Sequence, residues 1–360
     1  MDYNKKMNKS ELFEARLQEA IKEKIFPGCS FVYLDTDEEI VLSLGQATYD
    51  AASFSIQGDT LFDTASLTKI MTTMTLALIL VDEGALSLDD KAGKYLPEYN
   101  TSTEKQAVTI LHLMTYTVNY NLPGGSKSLM PGLAPNEIAH NALSYPLKEM
   151  PGTSYMYSNL TAFILTQIIE KATGQSFDDL VQSKIFTPLK MDTATFSSDA
   201  NLVASIPPTE ITEERGEVCG VVHDEFTYYT RKGGISKGAA GLFASILDVK
   251  KFLHMTIDKG FINGQRLISE DLVSKWTKDM FPELLPAHTP LAWGDLNNSL
   301  IDKYHREIVV KAGFTGCLMV ADVKHKKAFA ILSNRTYPTR PTDSSSFAKL
   351  KEDLTEIALG

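Results

Sequence analysis

Ser66-Leu67-Thr68-Lys69 places a hydroxyl and an amine three residues apart at the head of an apolar run. On a helix such positions share a face, so a deprotonated Lys69 can take the proton of Ser66 and leave a nucleophile beside its own base. The same spacing occurs at Ser102-Thr103-Glu104-Lys105 and Ser346-Phe347-Ala348-Lys349, where it reads as a solvated helix face. The setting of Ser66 is different. Asp63 and Thr64 can cap the helix it opens, Ile70 to Val81 is apolar almost all round, and Gly84 can end it. A helix of that kind lies in a core, and a lysine carried there gives up its proton more readily than one at the surface.

Two further sets of residues bear on the same chemistry. Tyr157-Ser158-Asn159 is the only Tyr-x-Asn in the chain, and it follows the turn Pro151-Gly152-Thr153, from which the apolar stretch Ala162 to Ile169 departs as a helix. A phenol there can relay protons. Lys311-Ala312-Gly313 precedes Phe314-Thr315-Gly316 and the strand-like run Cys317 to Ala321, which sets its lysine on a sheet edge facing the nucleophile. A second Lys-Ala-Gly, Lys91 to Gly93, lies within the polar stretch Leu86 to Tyr95. Taken singly, Tyr157 is an ordinary core or turn residue and Lys311 an ordinary strand end. In this order and spread they form a set.

The set resembles the signatures of the serine β-lactamase and penicillin-binding protein superfamily, among them Ser-x-x-Lys and Lys-Thr-Gly. Tyr-x-Asn in place of Ser-x-Asn points to the class C branch, with its related esterases and D-amino-acid peptidases. The segments Val108 to Thr117, Pro151 to Phe177, Ile185 to Phe196, Gly241 to Ser245 and Asn334 to Pro338 are similar to that family as well. The resemblance implies that Ser66 attacks a carbonyl, that the backbone amides of Ser66 and Phe314, beside Gly313, hold the oxyanion, and that water releases the acyl group. Lys69 and Tyr157 would share the proton transfers, either of them serving as the acylation base. Asn159 would orient Lys69 and the acyl chain, and Lys311 would hold positive charge near the phenol. The mechanism needs no metal or cofactor, and no Cys/His cluster suggests one.

The departures from the family pattern concern substrate. Ala312 stands where the third motif usually has threonine, and Phe314 where class C enzymes usually have serine. Two hydroxyls that help hold a substrate carboxylate are therefore missing, each worth about 1 kcal/mol. That weighs against efficient β-lactam hydrolysis and towards an acyl ester or a neutral amide. Arg340, or Arg335, can return a charge to that side, although a solvated surface position is the ordinary reading of either.

Positioning these residues requires elements from both ends of the chain. Ser10 caps a helix to Ile25, and Cys29 to Leu34 and Ile40 to Leu44 read as a hairpin. Cys317 to Ala321 and Ala328 to Leu332 form a second hairpin, followed by a helix from Ser346 to Leu359. Between them the periodicity is mainly helical. The expected architecture is α/β (α+β), of the β-lactamase/transpeptidase kind: an antiparallel sheet flanked by helices, drawn from residues 1–85 and 205–360, with an inserted helical domain over 86–204 and the active site in the groove between.

Composition excludes several classes. The chain has 360 residues, 43% of them hydrophobic, and a formal net charge of −10, which suits neither nucleic acid nor an anionic membrane as a partner. Ile70 to Val81 falls short of the roughly 20 residues that span a bilayer. Met1 to Ser10 is polar with no secretory core after it, so a cytoplasmic enzyme is expected. Cys29, Cys219 and Cys317 are read as reduced thiols. Of the histidines, His112 opens a helix and His223 lies in a loop with Asp224 and Glu225, both read as solvated; a His-based triad is the lesser alternative. The expected activity is that of a serine hydrolase acting on a small-molecule or peptide substrate. The alternative is a penicillin sensor, acylated without turnover. Oligomeric state stays open.

Overall fold

A computed structural model describes residues 8–120, 122, 125, 129–130, 134–196, 205–235, 238–284, 287–294, 304 and 307–360. Its centre is a five-stranded antiparallel sheet of β1 (Gly28–Leu34), β2 (Glu39–Gly45), β3 (Ile308–Gly313), β4 (Cys317–Asp322) and β5 (Lys327–Ser333), in the order β2-β1-β5-β4-β3. The first and last parts of the chain meet in this sheet, with Phe31 opposite Ile331 and Lys311 opposite Met319. Alternate side chains point to opposite faces, and both faces are covered, so β1 is buried along its whole length. Phe31, Tyr33, Phe329 and Ile331 join one cluster with Phe13, Leu17, Leu350 and Leu354, from the helices α1 (Lys9–Lys22) and, at the end of the chain, Ser345–Leu359. Val32, Ala330, Met319 and Val309 join the other, which holds Leu67, Ile70 and Met71. Lys311 shares the parity of Val309, so the register aims it at the Ser66 side.

α1 starts earlier than Ser10. Asn8 accepts from the Glu11 amide at 2.9 Å and Glu11 returns the bond to the Asn8 amide, a reciprocal cap that a serine two residues further on does not make. The expected helix over 70–81 is present in two parts: a π-helical segment, Lys69–Met74, runs into α2 (Thr75–Asp82). Threonine hydroxyls explain the wide turn, since Thr72 donates to the Thr68 carbonyl and Thr75 reaches back five residues to that of Ile70, both at 2.6 Å. Such segments are frequent at functional sites. Between residues 92 and 189 the described elements are helices, including α3 (Asn159–Thr173). After them come α4 (Glu225–Lys232), α5 (Ile246–Ile257) and the C-terminal helix, α6 (Ser345–Leu359). Among the described residues no helix is long and apolar enough to cross a membrane.

Candidate active site

The turn carrying Ser66 is held from three sides. Phe62–Asp63 pairs with Phe243–Ala244, the Thr64 hydroxyl donates to the Leu242 carbonyl at 2.8 Å, and the Thr315 hydroxyl donates to the Asp63 carbonyl at 2.8 Å. Ala65 is fixed at φ +47°, a conformation that is strained for a residue with a Cβ and persists where surroundings impose it. Successive tight turns from Thr64, Ala65 and Ser66 then lead into the π-helical segment.

The amine of Lys69 lies 3.0 Å from Ser66 Oγ, 2.7 Å from Asn159 Oδ1 and 2.6 Å from the Ala239 carbonyl oxygen. The last two partners can only accept. In a deprotonated amine these two acceptors would take both N–H bonds, and the lone pair would face the Ser66 hydroxyl. Asn159 is held in the matching orientation: its Nδ2 donates to Asp224 Oδ2 at 2.9 Å, which turns Oδ1 to Lys69. Asp224 in turn caps α4, accepting from the Thr227 amide and hydroxyl at 2.8 Å. The sequence reading of Asp224 and Glu225 as solvated is therefore corrected: Asp224 anchors Asn159 and Glu225 pairs with Arg340. Nothing in the local spacing links residues 159 and 224.

Ser158 caps α3 and Asn159 is its first residue, which carries Tyr157 onto the wall of the pocket. The Tyr157 hydroxyl is buried and has no hydrogen-bond partner among the described residues. Its ring lies 5.4 Å from Lys69 Nζ and 4.7 Å from Lys311 Nζ, measured to the centroid. Lys311 is fully buried, not a solvated strand end. It stands over the ring face of Tyr157 and donates instead to the Tyr116 hydroxyl at 3.0 Å and the Trp293 carbonyl at 2.8 Å. Burial, reinforced by the charge of Lys69, holds the Lys311 ammonium well below its usual pKa. Tyr116 was missed in the sequence: it sits at φ +57° in a turn after a short helix, a conformation its residue type does not announce. Gly313 has a steric reason, because a Cβ there would stand 2.5 Å from the Thr64 carbonyl oxygen and push β3 away from the Ser66 turn.

Ser66, Tyr157, Asn159, Ala312, Gly313 and Phe314 line one cavity of about 460 Å³. Phe314 is 52% exposed and forms an apolar wall. Arg340 also lines it, 5.5 Å from the Phe314 ring, but its Nε donates to Glu210 at 2.9 Å and its other end meets Glu225, so two carboxylates already take its charge. Arg335 lines it as well. His112 and His223 each bond a threonine. His112 bonds Thr109 at the start of its helix, and burial together with Lys91 lowers its pKa to about 4. His223 lines the cavity against Phe314 and bonds Thr209 at 3.0 Å. Among the described residues no group of three or more His, Cys, Asp or Glu side chains is placed to hold a metal.

Asp63 is the one carboxylate buried in the Ser66 turn, accepting from the Ala65 amide at 2.8 Å and the His223 amide at 2.6 Å. Burial outweighs these bonds and raises its pKa from 3.8 to about 6. A raised carboxyl pKa means that the folded state holds the proton more tightly, so this contribution to stability is full below pH 3.8 and is lost as pH rises through about 6. Relative to Asp63→Asn, which does not titrate, the wild type should lose on the order of 1–3 kcal/mol between pH 4 and pH 7. Urea unfolding of both proteins across that range tests it, and a flat or rising difference contradicts it.

The chain matches the Beta-lactamase family over residues 13–351 and belongs to it, and it is accordingly a serine hydrolase with the β-lactamase/transpeptidase fold. It is 26% identical over 310 residues, covering 77% of this chain and 70% of the relative, to the "Putative D-alanyl-D-alanine carboxypeptidase" of Escherichia coli (strain K12). In structure it is similar to EstCE1, a hydrolase with promiscuous acyltransferase activity, with a TM-score of 0.75 at 14% identity and 98% of each chain covered. It is also similar to the Beta-Lactamase/D-Alanine Carboxypeptidase from Pseudomonas syringae, with a TM-score of 0.74 at 17% identity, covering 97% of this chain and 98% of that one.

Proposed function

We propose that this protein hydrolyses acyl esters, and amides more slowly, through an acyl-Ser66 intermediate formed in the groove between the sheet region (1–85 and 205–360) and the helical region (86–204). The observation that carries this reading is the amine of Lys69, 3.0 Å from Ser66 Oγ with its other two contacts to acceptors only. Ser66 Oγ forms a bond to the carbonyl carbon as its proton passes to Lys69 or Tyr157. The oxyanion is held by the Ser66 and Phe314 amides beside Gly313, and collapse expels the alcohol, which takes the proton. Water repeats the sequence and frees Ser66. A p-nitrophenyl ester, a chromogenic cephalosporin and a D-Ala-D-Ala peptide assayed together test the reading. Steady turnover of any of them supports it; a stoichiometric burst with no turnover makes the protein an acylated sensor instead.

The carboxylate-side hydroxyls absent at Ala312 and Phe314, and the engagement of Arg340 by Glu210 and Glu225, favour substrates without a carboxylate beside the scissile bond. Short-chain neutral esters should show higher kcat/KM than cephalosporins or peptides ending in free D-Ala, in contrast to what the name of the Escherichia coli relative suggests. Ala312→Thr with Phe314→Ser should shift that ratio towards the carboxylate substrates about five- to thirtyfold, one or two recovered hydrogen bonds. A wild-type preference for the carboxylate substrates that collapses in Arg340→Ala sinks this prediction.

A further inference from the structure

The cavity that Ser66 lines is also lined by Phe314, by Arg335, and by Phe347 and Lys351 of the C-terminal helix α6. Two cations share one ring there. The Arg335 guanidinium carbon lies 4.9 Å, and Lys351 Nζ 5.8 Å, from the centroid of Phe347. Both side chains are half-buried, and neither makes an ion pair among the described residues. Their neighbours do: Arg340 is taken by Glu210 and Glu225, and Arg16 and Lys349 by Asp353 of the same helix. Burial, and then the charge of Arg335, lower the pKa of Lys351, with exposed Glu352 offsetting only part of this. A chain with 45 acidic residues and a net charge of −10 thus leaves two adjacent cations uncompensated in the wall of its active-site cavity. Holding them unpaired is costly, and an anion arriving there would relieve that cost.

The place is also shaped. Gly316, at φ +106°, lets the stem of Arg335 cross it, since a Cβ would stand 2.8 Å from Arg335 Cγ. The N-terminus of α6 is not the source of the charge, because Asp343 already accepts from the Ser345 amide at 2.8 Å. We infer that Arg335 and Lys351 form a subsite for an anionic group, a carboxylate or a phosphate, carried by the substrate at its end remote from the scissile carbonyl. The inference rests on the acyl-Ser66 reading and gives it a substrate class: esters neutral beside the scissile bond and anionic at a distance. A guanidinium fork and an ammonium over an aromatic floor suit either oxyanion.

Two ester pairs test it. In one, mono-p-nitrophenyl suberate is compared with its methyl-capped diester, which places the charge on the acyl half. In the other, the butanoyl ester of 3-(4-hydroxyphenyl)propionate is compared with the corresponding methyl ester, which places it on the leaving half. Phosphonate versions of each distinguish phosphate from carboxylate by the larger ratio. In Arg335→Gln/Lys351→Gln the charged-to-neutral ratio of kcat/KM should fall about tenfold or more in one of the pairs. It should persist in Arg335→Lys/Lys351→Arg, and in wild type it should shrink with added salt. A ratio unchanged within about twofold in both pairs, with Ser66→Ala inactive on all of them, overturns the subsite and leaves the acyl-Ser66 reading standing. Turnover surviving in Ser66→Ala overturns both.

Discussion

Ser66→Ala should form no covalent adduct with a fluorophosphonate and should lose about 10⁴ or more in kcat on a p-nitrophenyl ester, while Ser102→Ala and Ser346→Ala keep both. The three serines share a spacing and differ in everything around it. Ser66 Oγ faces an amine whose other contacts are acceptors. Ser102 is a helix cap accepting from the Lys105 amide, and Lys105 sends its amine away from it, to the Leu143 carbonyl. Ser346 is exposed near the start of α6. Intact-mass spectrometry after labelling reads the outcome directly. An adduct that persists in Ser66→Ala places the nucleophile elsewhere and removes the basis of the proposed mechanism.

The second large effect is on proton transfer. Lys69→Ala and Tyr157→Phe should each lower kcat by about 10² or more. For Lys69→Ala the loss has two parts, the missing amine and the two acceptors, Asn159 Oδ1 and the Ala239 carbonyl, left without their donor. For Tyr157→Phe the fold should be nearly untouched, because the hydroxyl it removes has no partner among the described residues. A comparison of kcat with thermal midpoint therefore separates chemistry from stability: Tyr157→Phe should fall in the first and hold in the second. His112→Ala should do the reverse, since that ring secures a helix start. If a folded His112→Ala or His223→Gln protein loses activity to the extent of Lys69→Ala, a histidine is the base.

What could be read before any coordinates was whatever repeats locally. The two hairpins were visible as apolar runs broken by turn residues, and they end within about one residue of the strands that form. The helix after Ser66 was visible as apolar content, although its π-helical opening was not, because that depends on which carbonyls Thr72 and Thr75 reach. Ser66, Lys69, Tyr157, Asn159 and Lys311 are legible as motifs; Ser66, Tyr157 and Asn159 line one cavity, and Lys69 and Lys311 are buried beside it, against the Ser66 hydroxyl and the Tyr157 ring. Asp224 was not legible, since its tie to Asn159 spans 65 residues with no periodicity to betray it. The state of Arg340 was equally hidden, being fixed by Glu210 and Glu225 from two separate segments. Motifs carry the proposed reacting groups, whereas the side chains that hold Asn159 and Arg340 come from wherever the chain happens to return.

The pairing of Phe31 with Ile331 in the central sheet has a consequence for how this protein is made. Its partner strand lies 300 residues further along the chain, and at about 5–20 residues per second a ribosome needs roughly 15–60 seconds to supply it. Throughout that interval β1, apolar on both faces, has only β2 beside it and presents an open edge, the kind of segment on which nascent chains associate. Lys311 and Gly313 arrive later still than the Ser66 turn they pack against, so a stalled or truncated chain carries Ser66 without the strand that finishes its pocket. Synthesis of this enzyme should therefore depend strongly on chaperone capacity and on growth temperature, and its activity should appear only once the last hairpin has closed.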